Sequence, residues 1–142
     1  MSWLPKKSVV VPIDFSDEAF AALDVALGLV AGTADLHLIH VLPEMEVNDP
    51  GVVWATVDDS SRRRHAEQAL RDRLKDAKYQ GVDIAIEFGD PSREIAELSK
   101  KLGADLIVLS SHGRTGLKRL LIGSVAERVV RLAPCPVLVL RQ

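Results

Sequence analysis

The stretch from Ser110 to Val125, SSHGRTGLKRLLIGSV, carries the residues best suited to hold an anion. It contains three glycines (Gly113, Gly116, Gly123), three basic residues (Arg114, Lys118, Arg119), and Ser124 directly after the last glycine. A glycine backbone can approach phosphate oxygens closely because no Cβ intervenes. If Ser124 opens a helix, the first N–H groups there have no partner within the helix and lie at the positive end of its dipole. That is a phosphate site, with the Ser124 hydroxyl as an added donor and Arg114 as nearby charge. A plainer reading uses the same residues as turn glycines, with Lys118 and Arg119 facing water. The spacing is neither a P-loop, since no GK[ST] follows, nor a GxGxxG fingerprint.

Catalytic chemistry has less to work with. The histidines are His37, His40, His65 and His112. His37 and His40 stand three apart in a strand pattern, so they point to opposite faces and cannot share a metal. His65 sits among arginines. His112 lies in the loop, where a structural role or a weak phosphate contact suits it better than that of a general base. No metal-ligand cluster, paired carboxylates or Ser-His-Asp order stands out. Hydrolysis of a triphosphate needs an oriented water and charge stabilisation at the γ-phosphate, and no residue is evident for the first task. The expectation is binding rather than turnover, and not an enzyme.

The elements that must position this loop read clearly. SVVVPID (8–14) is a buried strand. A helix capped by Ser16 follows, with Asp17 and Glu18 in its first turn, apolar residues Phe20, Leu23, Leu27 and Val30 at helical spacing, and Gly32 at its end. LHLIHVL (36–42) is the second strand. Residues 43–58 have no period and read as a long loop or flap. A charged helix is expected over 59–80, with Ala66, Leu70, Leu74 and Ala77 as its apolar stripe and Glu67 and Arg71 paired. Arg62, Arg63 and Arg64 read as a solvated face or the helix start. VDIAIEF (82–88) alternates and so reads as an edge strand. A helix capped by Asp90, with Pro91 first and Gly103 after its end, leads to the strand at 105–111. The helix from Ser124 and the strand PVLVLR (136–141) close the chain. Strict β-α alternation implies an α/β domain over 1–142, with one open five-stranded parallel sheet, helices on both faces and right-handed crossovers.

In such sheets ligands sit beyond the carboxyl ends of strands, where the strand order reverses. Asp14, Val41 and the segment from Ser110 to Gly113 occupy those ends.

Composition narrows the partners. The chain has 142 residues, a formal net charge of −2 and one cysteine, Cys135. A domain of this length buries roughly two thirds of its unfolded surface and needs no disulfide. The charge argues against a nucleic-acid binder. No apolar run approaches a membrane span, and the N-terminus lacks the length and cleavage region of a signal peptide. A cytoplasmic protein with no membrane partner is expected.

The 110–125 stretch resembles the universal stress protein family, whose nucleotide-binding members carry G-x2-G-x9-G-[ST] after the fourth strand. Ser110 takes the first glycine position, Ser111 and His112 are spacers, and Gly113 is the second glycine. Nine residues, Arg114 to Ile122, lead to Gly123 and Ser124. The resemblance extends to VVVPIDFSDEA, HLIHVLP and VAERVVRLAPCPVLVLR, and so covers the whole chain. It implies a Rossmann-like sheet of order 3-2-1-4-5 and a stress-response or regulatory protein that binds ATP, or AMP or ADP. The base would lie along the backbone of Pro12 and Ile13 and meet the main chain of Val41. Asp14 would meet the ribose or a Mg²⁺ ion on the phosphates. Gly113, Gly123, Ser124 and Val125 would cradle the phosphates, with Ser110 and Arg114 beside them. Helix capping near Ser16 is the alternative for Asp14, and plain core the alternative for Val41. Ser110 is the departure: a position needing positive φ would reject serine, whereas an extended one accepts it, and the strand pattern running into Ser110 favours the extended form. The last strand, 136–141, lies at the sheet edge in that order and is apolar on both faces, which predicts a homodimer through it. A slow ATPase or phosphotransfer enzyme and a nucleotide-free interaction module remain the competing functions.

Overall fold

The computed structural model describes residues 2–44, 58–111 and 122–141. The elements run β1 (Val9–Pro12), α1 (Asp17–Leu27), β2 (Leu36–Leu42), α2 (Asp59–Arg73), β3 (Asp83–Phe88), α3 (Pro91–Leu102), β4 (Leu106–Ser110), α4 (Ser124–Leu132) and β5 (Val137–Leu140). The strands form one parallel sheet in the order β3-β2-β1-β4-β5, as the alternation and the resemblance imply.

β1 is central because it can be buried on both faces. Val9, Val10 and Val11 are each fully buried, and a β-branched run with no polar residue suits a strand covered on both sides. Alternation divides it between two cores. Val9 and Val11 pack with Leu23, Leu36, Leu38 and Leu70 under α1 and α2. Val10 packs with Ile39, Ile95, Ile107 and Val129 under α3 and α4. Burying each such side chain contributes about 1.5–3 kcal/mol.

Helix ends follow their caps. The Ser16 hydroxyl accepts from the Ala19 N–H at the start of α1, and Asp90 accepts from the Arg93 N–H at the start of α3. α3 ends at Gly103 with φ 61, a left-handed stop that suits glycine. Two expected ends move. α1 stops at Leu27, capped by Gly28, rather than reaching Gly32. Glycine costs a helix interior about 1 kcal/mol, and beyond it the chain pairs with the N-terminal arm instead: Lys6 N–H donates to the Leu29 carbonyl at 2.8 Å. α2 stops at Arg73 rather than near residue 80. Asp76 accepts from the Lys78 N–H and starts a separate 3-10 turn, Ala77–Tyr79, a local bond that competes with helix. Ala77 is consequently exposed, while Ala66 and Leu70 are buried. Glu67 and Arg71 pair at 3.0 Å.

The arginine run is not simply solvated. Arg62 donates to the Pro43 carbonyl at 2.6 Å and Arg63 to the Ile86 carbonyl at 2.5 Å, and both guanidinium groups lie 5.1 Å from the Phe88 ring centre. They close the carbonyl ends of β2 and β3. β3 is an edge strand, as its alternation predicts. β5 is the other edge, and Val137, Leu138, Val139 and Leu140 are only half-buried. Among the described residues, no helix is long and apolar enough to cross a membrane.

Candidate functional site

The site is built where β1 parts from β4. The ladder between β1 and β2 continues to Pro12 opposite Ile39, and Ile13 N–H donates to the Ile39 carbonyl at 2.8 Å. The ladder between β1 and β4 stops at Val10 opposite Ile107. The cause is local. Donors alternate sides along a strand, so with Ile13 aimed at β2 the next residue back, Pro12, would aim at β4. Proline has no N–H to give. The two strands are therefore free to separate at the point where strand order reverses, the usual location of a ligand crevice in this architecture.

A cavity of about 270 Å³ occupies that position. Pro12, Ile13 and Asp14 line it from the end of β1, Val41 from β2, Ser110 from β4, and Gly123, Ser124 and Val125 from the start of α4. These are eight of the residues singled out from sequence. The other two, Gly113 and Arg114, lie outside the described residues, as do Gly116, Lys118, Arg119, His112 and most of the expected flap. Val41 also packs against the α3–α4 core, so its core role and its place in the cavity wall hold together. Ser110 is the last residue of β4, paired with Leu140. It is not among the positive-φ residues, so its extended backbone accommodates a serine.

The start of α4 differs from the other helix starts. α1, α2 and α3 are closed by side-chain oxygens of Ser16, Asp58 and Asp90. α4 begins at Gly123, which has no side chain to offer. Gly123 N–H donates to the Ser111 carbonyl at 2.7 Å, and the first intrahelical bond comes from Glu127 N–H to the Gly123 carbonyl at 2.9 Å. The N–H groups of Ser124, Val125 and Ala126 therefore have no acceptor within the helix. They border the cavity with the positive end of the helix dipole.

Asp14 is held in place by its neighbours. Its Oδ1 accepts from the Ser16 N–H at 3.0 Å and from the Ser16 hydroxyl at 2.5 Å. The cap of α1 is thus Ser16, and Asp14 braces it while facing the cavity. Between them Phe15 adopts φ 65. For a non-glycine residue that backbone costs about 1–3 kcal/mol and persists only where the surroundings enforce it.

Several wall residues were not expected from sequence. His40, Ile39, Ala19, Pro91, Ile95, Leu109 and Ala126 complete the lining, together with Ser111 from the segment already marked after β4. Most are core residues of strands and helices that reach the cavity wall, and no sequence signal marks them. His40 is polar and adjoins a residue that sequence did mark, Val41. Ser111 is 2% exposed, and its hydroxyl has no hydrogen-bond partner among the described residues. His37 and His40 have separate partners, Asp83 at 3.0 Å and the Ile13 carbonyl at 2.6 Å, which agrees with their opposite facing. Among the described residues, no three His, Cys, Asp or Glu side chains are grouped to hold a metal. Cys135 is half-buried, and burial pushes its thiol pKa up, so it is a poor nucleophile.

Comparison with known proteins agrees with the geometry. A universal stress protein from Methanocaldococcus jannaschii, MJ0531, is 36% identical, over 96% of this chain and 82% of its own length. The solved structure of MJ0577 from the same organism has a TM-score of 0.79 at 29% identity, covering 98% of each chain. The universal stress protein UspA of Lactobacillus plantarum has a TM-score of 0.74 at 28% identity, covering 95% of this chain and 97% of its own. The model of the universal stress protein family matches residues 6–141, and the chain belongs to that family.

Proposed function

We propose that this protein binds an adenine nucleotide, ATP in the first instance, as a regulatory module and without appreciable turnover. The observation that carries the reading is the convergence on one cavity of the residues that family resemblance assigns to the base (Pro12, Ile13, Val41), the ribose (Asp14) and the phosphates (Gly123, Ser124, Val125). The chemistry of the wall suits such a ligand. Apolar Ile39, Ile95 and Leu109 offer a base a dry surface, and the uncapped start of α4 offers phosphates N–H donors. A Mg²⁺ ion fits only as cargo of the nucleotide. Asp14 is a single carboxylate, and Mg²⁺ takes six oxygens, readily drawn from phosphates and water.

The preference for binding over hydrolysis is carried from the sequence, where no residue is evident to orient an attacking water. We also propose that two copies pair through β5, whose half-buried apolar residues form an open sheet edge.

The direct test is mass spectrometry of small molecules released from the freshly purified protein, with calorimetric titration of ATP. Bound adenine nucleotide, or a micromolar to sub-millimolar dissociation constant, is the expected result. Neither would leave the cavity without a nucleotide role and favour the interaction-module reading.

A further inference from the structure

We infer that His40 is a positioning residue, which holds the Asp14 turn in its strained form through the Ile13 carbonyl. His40 Nδ1 lies 2.6 Å from that carbonyl oxygen. A carbonyl only accepts, so Nδ1 carries the hydrogen of this bond. The same ring meets Phe15 edge-on, with centroids 4.9 Å apart and planes at 82°. His40 therefore grips the chain on both sides of Asp14, at the carbonyl before it and the ring after it. Phe15 is the positive-φ residue of this turn, and such a conformation survives where neighbours over-determine it. Ser16 secures the carboxylate itself, through its N–H and hydroxyl. β2 thus fixes the backbone of the turn, and α1 fixes its side chain. His40 acts on any ligand by way of Asp14.

The test separates the two ring nitrogens. In His40→Asn the amide nitrogen can take the place of Nδ1; in His40→Gln it reaches the place of Nε2 instead. Amide hydrogen exchange at Ser16, whose N–H donates to Asp14, reports the turn, and exchange at Val10 in the core reports the fold. His40→Gln is expected to speed Ser16 exchange about tenfold, the equivalent of one lost hydrogen bond, with Val10 unchanged. His40→Asn should stay close to the parent. The ATP arm rests on the nucleotide reading above: affinity should fall about tenfold in His40→Gln, be spared in His40→Asn, and show no further loss from His40→Gln once Asp14→Ala is present. If the parent does not bind ATP but the exchange pattern holds, the nucleotide reading fails and the positioning role stands. Weaker ATP binding with Ser16 still protected would make His40 a direct ligand contact and overturn the inference. So would equal loss in both variants. Should the glutamine variant not fold, nitrogen NMR on the parent decides: a neutral ring carrying its hydrogen on Nε2 sinks the proposal.

Discussion

The Ser16 hydroxyl donates to Asp14 at 2.5 Å and accepts from the Ala19 N–H at 3.1 Å. One oxygen atom therefore starts α1 and aims the carboxylate that faces the cavity. Ser16→Ala should lose a helix cap worth about 1 kcal/mol and, with it, the brace on Asp14. Chemical denaturation should show the first loss and ATP titration the second. Ser16→Thr keeps the hydroxyl and should keep both. A variant that loses stability but binds ATP as the parent does would show that Asp14 needs no brace.

Gly123 is buried in the cavity wall, with φ −60 and ψ 154. Any residue adopts that backbone, so Gly123→Val should fold. Its side chain would fill space beside the start of α4, where phosphates are expected. ATP binding should be abolished in calorimetry while circular dichroism stays that of the parent. Undiminished binding would move the phosphates away from α4.

Asp14 gives the ion dependence. A carboxylate beside a triphosphate repels it unless a cation lies between. ATP should bind more tightly in Mg²⁺ than in EDTA, and Asp14→Ala should narrow that difference. Equal affinity in the two buffers would remove the metal from the account.

The proposed pairing depends on which way β5 points its backbone. Ile107 N–H donates to the Pro136 carbonyl at 3.0 Å, and Ser111 N–H to the Leu140 carbonyl at 2.8 Å. With a period of two, Pro136, Leu138 and Leu140 face β4, and Val137 and Val139 face the open edge. Val139→Pro removes an outward donor and spares the inner ladder. Light scattering at tens of micromolar should give a dimer for the parent and a shift toward monomer for the variant. A monomeric parent would end the proposal.

Sequence legibility tracked how local each cause is. Ser16, Asp90 and Gly103 act within a few residues, and each does what its type and position predict. The ends of α1 and α2 were misjudged because Gly28 and Asp76 only allow a stop, and the bonds that hold the chain beyond them come from elsewhere: the Lys6 arm binds Leu29, and Tyr79 reaches Asp24 at 2.6 Å. The arginine run sits at the helix start, as expected, with Arg63 and Arg64 exposed; what the sequence did not state is that Pro43 and Ile86 supply acceptors for Arg62 and Arg63. In the site, a loop motif and strand ends could be recognised. The reach of His40 across to Ile13, 27 positions earlier, could not, because a strand pattern does not state which neighbour a side chain meets.

With an anion bound at the uncapped start of α4, this protein's heat resistance would become a gauge of its surroundings. If an anion settles there as proposed, its binding adds to the unfolding free energy of the native state by thermodynamic linkage. At a hundred times its dissociation constant, a single ligand contributes about 2.7 kcal/mol. Melting temperature would then rise and fall with nucleotide supply, and the nucleotide-free chain would be the form most readily cleared by proteolysis.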